Sequence, residues 1–115
     1  MIREIVKTKS IEEIEEILFK QTDDYYFIEK ELKSVEHKNT IKSLGARYLI
    51  KLSILEFLKL TKEFNDIEIE NEESGKPILI FKGEVKDKLK ENGISNVHVS
   101  ISHSKNYIST LVILE

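Results

Sequence analysis

Val97-His98-Val99-Ser100-Ile101-Ser102-His103-Ser104 alternates apolar and polar residues and ends in a small polar run that carries a histidine. Alternation with a period of two marks a strand with one buried face. Tyr107 to Leu114 is apolar again, so Ser104-Lys105-Asn106 reads as the turn of a hairpin. The first strand of that hairpin brings a hydroxyl, an imidazole and a second hydroxyl to its own end. Such a corner can hold a phosphate through several donors at once. It reads equally well as a polar turn, because Ser and Asn favour local hydrogen bonds there. His98 alternates with Val97 and Val99 and is expected on the surface.

Upstream of the hairpin the period changes. Ile67-Glu68-Ile69-Glu70 alternates as a strand, and Ile78-Leu79-Ile80-Phe81 is a second one. Between them lies Asn71-Glu72-Glu73-Ser74-Gly75-Lys76-Pro77, a turn in which Gly75 can take a positive φ and Pro77 opens the next segment. Val85 to Glu91 is a short helix that Asn92-Gly93 ends. The longest element runs from Ile41 to Lys62. Leu44, Tyr48, Leu52, Leu55 and Leu58 form one stripe, and Ala46, Leu49, Ile50, Ile54, Phe57 and Leu60 add apolar surface around it. A helix apolar on most sides belongs in the middle of a fold.

The N-terminal part starts with a short strand around Ile2, Ile5 and Val6. Ser10 with Glu13 forms a capping box for a helix from Ile11 to Lys20. Ile11, Ile14, Ile17 and Leu18 share one face of it, while Glu12, Glu13, Glu15 and Glu16 give an acidic exterior. Tyr25-Tyr26-Phe27-Ile28 is an aromatic cluster, Glu29 to Lys38 is helix-forming, and Asn39-Thr40 is a boundary. The order of elements predicts one α+β domain over residues 1–115, with a long buried helix packed on a mostly antiparallel sheet.

With 115 residues, 40% of them hydrophobic and 34% charged, the chain can bury one core. A net charge of -3 argues against a general nucleic-acid binder, which needs a basic surface to displace counterions. Without cysteine there is no disulfide, thiolate metal site or cysteine nucleophile. No apolar run approaches the roughly 20 residues of a membrane span, and Met1 to Ser10 lacks a signal-peptide apolar region. A cytoplasmic location is the expectation. His37, His98 and His103 are spread too widely to read as a zinc site.

Three segments in this order, Leu44-Gly45-Ala46-Arg47-Tyr48-Leu49-Ile50-Lys51, Ser74-Gly75-Lys76-Pro77 and Val97 to His103, resemble the holo-acyl-carrier-protein synthases, the small single-domain branch of the 4'-phosphopantetheinyl transferases. The family's long helix carries Arg-aromatic-x-x-Lys-Glu, matched by Arg47 through Lys51. Gly75-Lys76-Pro77 and Ser100-Ile101-Ser102-His103 match its turn and its strand. Phe27 through Glu31-Leu32 is similar to its Phe-x-x-x-Glu-Leu segment, and Tyr107 to Glu115 to its ending. The resemblance implies transfer of 4'-phosphopantetheine from coenzyme A to a carrier-protein serine. It implies Arg47, Lys51, Lys76, Ser102 and His103 as coenzyme A contacts and magnesium on the pyrophosphate. For Arg47 and Lys51, which share a helix face, pairing with nearby acids is the other reading.

Two features depart from the family. Its metal carboxylates come from an Asp at the end of the first strand and from the Glu directly after the helix Lys. In this chain the first position falls on or beside Thr8, and the second is Leu52. Four residues on, where the family has a Lys for phosphate, stands Glu56, and Leu60-Thr61-Lys62-Glu63-Phe64 replaces its glycine-rich loop. Magnesium needs hard oxygen ligands. The family also meets its acidic carriers with a basic first helix, whereas this one is acidic with Lys20 as its single base. These departures point to a degenerate member, weakly active or inactive. It would serve as an accessory subunit in fatty-acid or polyketide-type biosynthesis, with an acyl carrier protein or an active paralogue as partner and a homotrimer as its assembly. The alternatives are an active transferase whose magnesium site is rebuilt from Glu56 and Glu4, and an unrelated α+β interaction domain.

Overall fold

The computed structural model describes residues 2–34 and 40–115. Strand β1 (Arg3–Ser10) ends on the residue that starts helix α1 (Ile11–Phe19). The Ser10 hydroxyl accepts from the Glu13 amide at 3.1 Å, and the Glu13 carboxylate accepts from the Ser10 amide at 3.3 Å. This is the capping box that the Ser-x-x-Glu spacing predicts. Ile14 and Leu18 bury the inner face of α1, and Glu12, Glu13 and Glu16 stay exposed.

Two short helices follow, α2 (Asp23–Tyr26) and α3 (Glu29–Ser34), and the aromatic cluster lies on α2 and just after it. Tyr26 meets Tyr48 and Phe64 edge to face, with ring centroids 5.0 and 4.9 Å apart, the geometry that ring quadrupoles favour. The predicted continuation to Lys38, the boundary at Asn39 and the position of His37 lie outside the described residues.

Helix α4 (Thr40–Leu58) is the axis of the core. It stops four residues short of the expected Lys62, and the backbone explains why. Lys59 turns left-handed at φ 61°, its amide donates to the Glu56 carbonyl at 3.1 Å, and the Leu60 amide donates to the Leu55 carbonyl at 2.8 Å. That pair of bonds is a Schellman termination, built on lysine where glycine is usual. Near its start α4 lies against its neighbours at Gly45. A Cβ there would sit 2.7 Å from Ile108 Cδ1 and 2.9 Å from Ile14 Cγ2.

After a 3-10 turn (Phe64–Asp66), strands β2 (Ile67–Asn71) and β3 (Pro77–Phe81) pair antiparallel. Helix α5 (Gly83–Glu91) follows, then β4 (Val97–His103) and β5 (Tyr107–Leu114). Every described pairing is antiparallel, as expected, but the strands form two sheets rather than one. One has the order β1-β5-β4, and the other is the β2-β3 hairpin.

The registers divide the larger sheet into two faces. Ile5, Val112 and Val99 lie side by side facing α4, as do Lys7, Thr110 and Ile101, and then Lys9, Ile108 and His103. The opposite face carries Val6, Leu111 and Ser100, then Thr8, Ser109 and Ser102. Ile108, Val112 and Leu114 are fully buried beneath α4, and each such side chain stabilises the fold by about 1.5–3 kcal/mol. Among the described residues no helix is long and apolar enough to cross a membrane.

Candidate functional site

The first turns of α4, the β2-β3 hairpin and β4 enclose a cleft of about 590 Å³. Helix α4 contributes Lys42, Ser43 and Arg47, the β2-β3 turn contributes Gly75, β3 contributes its first residue Pro77, and β4 contributes His103. Ala46, Ile69, Val99 and Ile101 supply the apolar part of the wall. The Asn71–Pro77 turn closes through the Glu72 amide donating to the Lys76 carbonyl at 2.9 Å, with Gly75 at φ 91°. That is the positive φ expected at this glycine. Lys42 and Arg47 give this recess positive charge, the His103 imidazole adds a hydrogen-bonding group, and one flank is apolar. Such a recess suits a ligand that has phosphates at one end and a flat or apolar group at the other.

Arg47 is held rather than loose. It is almost fully buried, and its Nε donates to the Ile69 carbonyl at 3.4 Å. Burial pulls its guanidinium below the usual arginine range, and the nearby Glu31 carboxylate opposes that shift. A guanidinium starts from so high a pKa that it keeps its charge at neutral pH.

Lys51, one turn further along α4, is elsewhere. It is completely buried, donating to Glu31 Oε1 at 2.6 Å and to the Tyr26 carbonyl at 2.8 Å. Burial lowers its ammonium from the ordinary value, and the charge of Glu31 and the hydrogen bond to it work the other way. Of the two readings open for this residue, the structure displays the pairing with an acid. Glu31 carries no role in the sequence reading, yet it is a junction. Besides Lys51 it accepts from the Ile28 amide and the Ile69 amide, each at 3.1 Å. Ile69 thus gives its N–H to Glu31 and its carbonyl to Arg47, which ties one wall of the cleft to α3 and α4. The Phe-x-x-x-Glu-Leu spacing was the available signal for Glu31.

The remaining candidates separate. His103 reaches the cleft, but Ser102, its neighbour in sequence, alternates to the outward face beside Ser109. Lys76 borders the adjacent groove between β3 and β4, with Glu72 and Val97. Lys42 was missed. It stands five residues before Arg47, outside the i, i+3 and i, i+4 spacings that put two side chains on one helix face, so spacing gave no signal for it. His98 is exposed, as expected, and bonds Glu115 at 2.8 Å.

The residues at the implied metal positions do not fit a hard divalent ion. Thr8 faces outward, and its hydroxyl bonds the Ser109 hydroxyl at 2.9 Å. Leu52 packs partly buried against the core. Glu56 is paired with Lys7, Nζ to Oε2, at 2.8 Å. Glu4 has the parity of Val6 and Thr8, on the face of β1 away from α4, whereas Glu56 meets β1 from the α4 side. Among the described residues no three His, Asp or Glu side chains cluster closely enough to hold a metal ion. A methyl-bearing side chain, an engaged hydroxyl and one neutralised carboxylate are not the donor set magnesium uses.

No family model matches the chain. The holo-acyl-carrier-protein synthase of Syntrophus aciditrophicus is 33% identical over 115 residues, across 91% of this chain and 88% of that protein. Its counterpart from Halothermothrix orenii is 35% identical over 80 residues, across 67% of this chain and 64% of the relative. Among solved structures, a holo-(acyl-carrier-protein) synthase from Bacillus anthracis in complex with CoA (3',5'-ADP) superposes with a TM-score of 0.74 at 27% identity. That match covers 96% of this chain and 93% of the other.

Proposed function

Because the chain belongs to the holo-acyl-carrier-protein synthase family, we propose that its cleft binds coenzyme A by the nucleotide end and that the protein serves as an accessory subunit with little or no transferase activity. The observation that carries this reading is the separation of two halves of a site. Lys42, Arg47 and His103 converge on one recess, while the positions that would hold magnesium carry Thr8, Leu52 and an ion-paired Glu56. Charge-assisted bonds from the recess suit the phosphates of the nucleotide. The apolar flank of Ala46, Val99 and Ile101 suits its ring. The Bacillus anthracis relative, described in complex with CoA (3',5'-ADP), supports the choice of ligand.

Phosphoryl transfer depends on positioning and on neutralising charge as it develops on the pyrophosphate. Without an ion there, that second contribution falls to side chains alone, and the rate suffers. The partner is an acyl carrier protein or an active paralogue within fatty-acid or polyketide-type biosynthesis in the cytoplasm, and self-association follows the homotrimer that the resemblance implies. Lys51 and Lys76 lie away from the recess, so Lys42, Arg47 and His103 carry the binding.

Calorimetry with coenzyme A, in magnesium and again in EDTA, tests this reading, together with mass spectrometry of a panel of apo carrier proteins after incubation. The expected result is micromolar binding that EDTA leaves unchanged, weakened about tenfold in His103→Ala, with no phosphopantetheine added to any carrier. Binding abolished by EDTA, or efficient loading of a carrier, would overturn it.

A further inference from the structure

We propose that Lys7 is the resident cation of the corner between β1 and α4, so that this corner takes up no divalent metal. The consequence for phosphate binding in the cleft, that it needs no metal, rests on the function proposed above.

The strand places the group. Residues 3, 5, 7 and 9 of β1 face α4, and residues 4, 6 and 8 face away. Lys7 therefore points toward the helix, with its side chain only 20% exposed, while Thr8 points to the far face. From α4, Glu56 reaches back and holds the Lys7 ammonium at 2.8 Å. Leu52, one turn earlier on the same helix, adds only apolar surface. Beside Lys7 in the register stands Thr110, 1% exposed, whose hydroxyl oxygen has no hydrogen-bond partner. The corner thus holds a carboxylate, with an unpartnered hydroxyl on the neighbouring strand, and a lysine already occupies it.

The ammonium and a metal exclude each other. A divalent ion brought beside Glu56 would meet a fixed positive charge within a few ångströms, and Glu56 would have to give up its present partner. A lysine ammonium is a compact point charge on a flexible stem, so it can stand where a small ion would sit. It donates hydrogen bonds but has no coordination shell, so it neither fixes several oxygens in one geometry nor acidifies a bound water as a metal does. The trade keeps a positive charge in the corner and gives up coordination geometry.

The inference is tested by titrating the purified protein with Mn²⁺ and following the free ion by electron paramagnetic resonance. Wild type is expected to leave Mn²⁺ free. Lys7→Glu, which sets a second carboxylate opposite Glu56, is expected to bind about one ion per chain. Lys7→Glu/Glu56→Gln is expected to lose it again. Circular dichroism establishes that each variant folds. Should Lys7→Glu not fold, Lys7→Met serves instead. Removing the ammonium alone is expected to let Mn²⁺ broaden the amide signals of residues 52–56, which stay sharp in wild type. Uptake of Mn²⁺ by wild type that Glu56→Gln abolishes would overturn the proposal. So would a folded Lys7→Glu that binds none, or an unbroadened Lys7→Met. None of these readouts uses coenzyme A, so a cleft that fails to bind it leaves the Lys7 result intact, and the reverse holds too.

Discussion

Lysine in a protein interior needs a partner, and Lys51 shows how closely the partner is defined. The ammonium has Glu31 Oε1 at 2.6 Å and a backbone carbonyl at 2.8 Å, while the other Glu31 oxygen is taken by the Ile69 amide. Removing one member strands the other as a buried charge, which costs about 3–5 kcal/mol, more than the pair contributes over an apolar substitute. Lys51→Ala is therefore expected to lower unfolding free energy by that amount in urea titrations. The double exchange Lys51→Met with Glu31→Gln should restore most of it. Lys59 is a second residue at odds with its surroundings, because its φ of 61° is one that L side chains resist. Lys59→Gly is expected to raise stability by about 1 kcal/mol, visible as a higher denaturation midpoint at unchanged slope. Neither situation could be read from spacing. The i, i+4 relation of Arg47 and Lys51 was visible, but the identity of the acid twenty residues upstream depends on how three elements meet. The split between Ser102 and His103 was legible from period two alone, since adjacent strand residues point to opposite faces.

Among the elements, α1 was fully readable because both its start signal and its apolar spacing are local. Its cap also titrates. The Ser10 backbone amide, then its hydroxyl, hold the Glu13 carboxylate below the usual glutamate range. As pH falls, the unfolded chain takes up that proton before the native one does. The cap's contribution is thus complete above the ordinary glutamate pKa of about 4.3 and is lost as the pH drops through the lower native value. Thermal melts from pH 6 down to about 3 should show wild type losing its advantage over Glu13→Gln. Convergence of the two curves is the expected outcome, and a constant gap would exclude a role for the charge. Strands β2 and β4 were readable for the same local reason, since alternation needs no knowledge of the partner strand, and β5 was readable as an apolar run that follows a turn. The far end of α4 was not. Leu60 continues the apolar pattern, and the stop comes from a left-handed lysine rather than a glycine, so nothing in the residue types announces it. The separation of β2-β3 from the main sheet was equally invisible, because which strands share hydrogen bonds is decided by the paths between them.

At the scale of the whole molecule, charge decides which partners can approach. Glu12, Glu13 and Glu16 stand exposed along α1, and Glu15 lies half-buried among them. Like charges across an interface suppress association, and salt weakens that repulsion. Replacing Glu12, Glu15 and Glu16 by Lys while leaving the Glu13 cap is expected to strengthen binding to an acidic carrier protein by tenfold or more at low salt. Surface plasmon resonance at two ionic strengths would read it, and an unchanged affinity would place the carrier on another face. The two-sheet architecture has a mechanical meaning as well. The β2-β3 hairpin and the β1-β5-β4 sheet share no strand hydrogen bonds, yet both wall the same cleft. A molecule lodged there would act as a rivet, bridging two sheets that no strand ladder joins. Hydrogen exchange should record this as slower amides across residues 67–81 when coenzyme A is present, with α1 unaffected. A ligand bound elsewhere would leave those amides as they were.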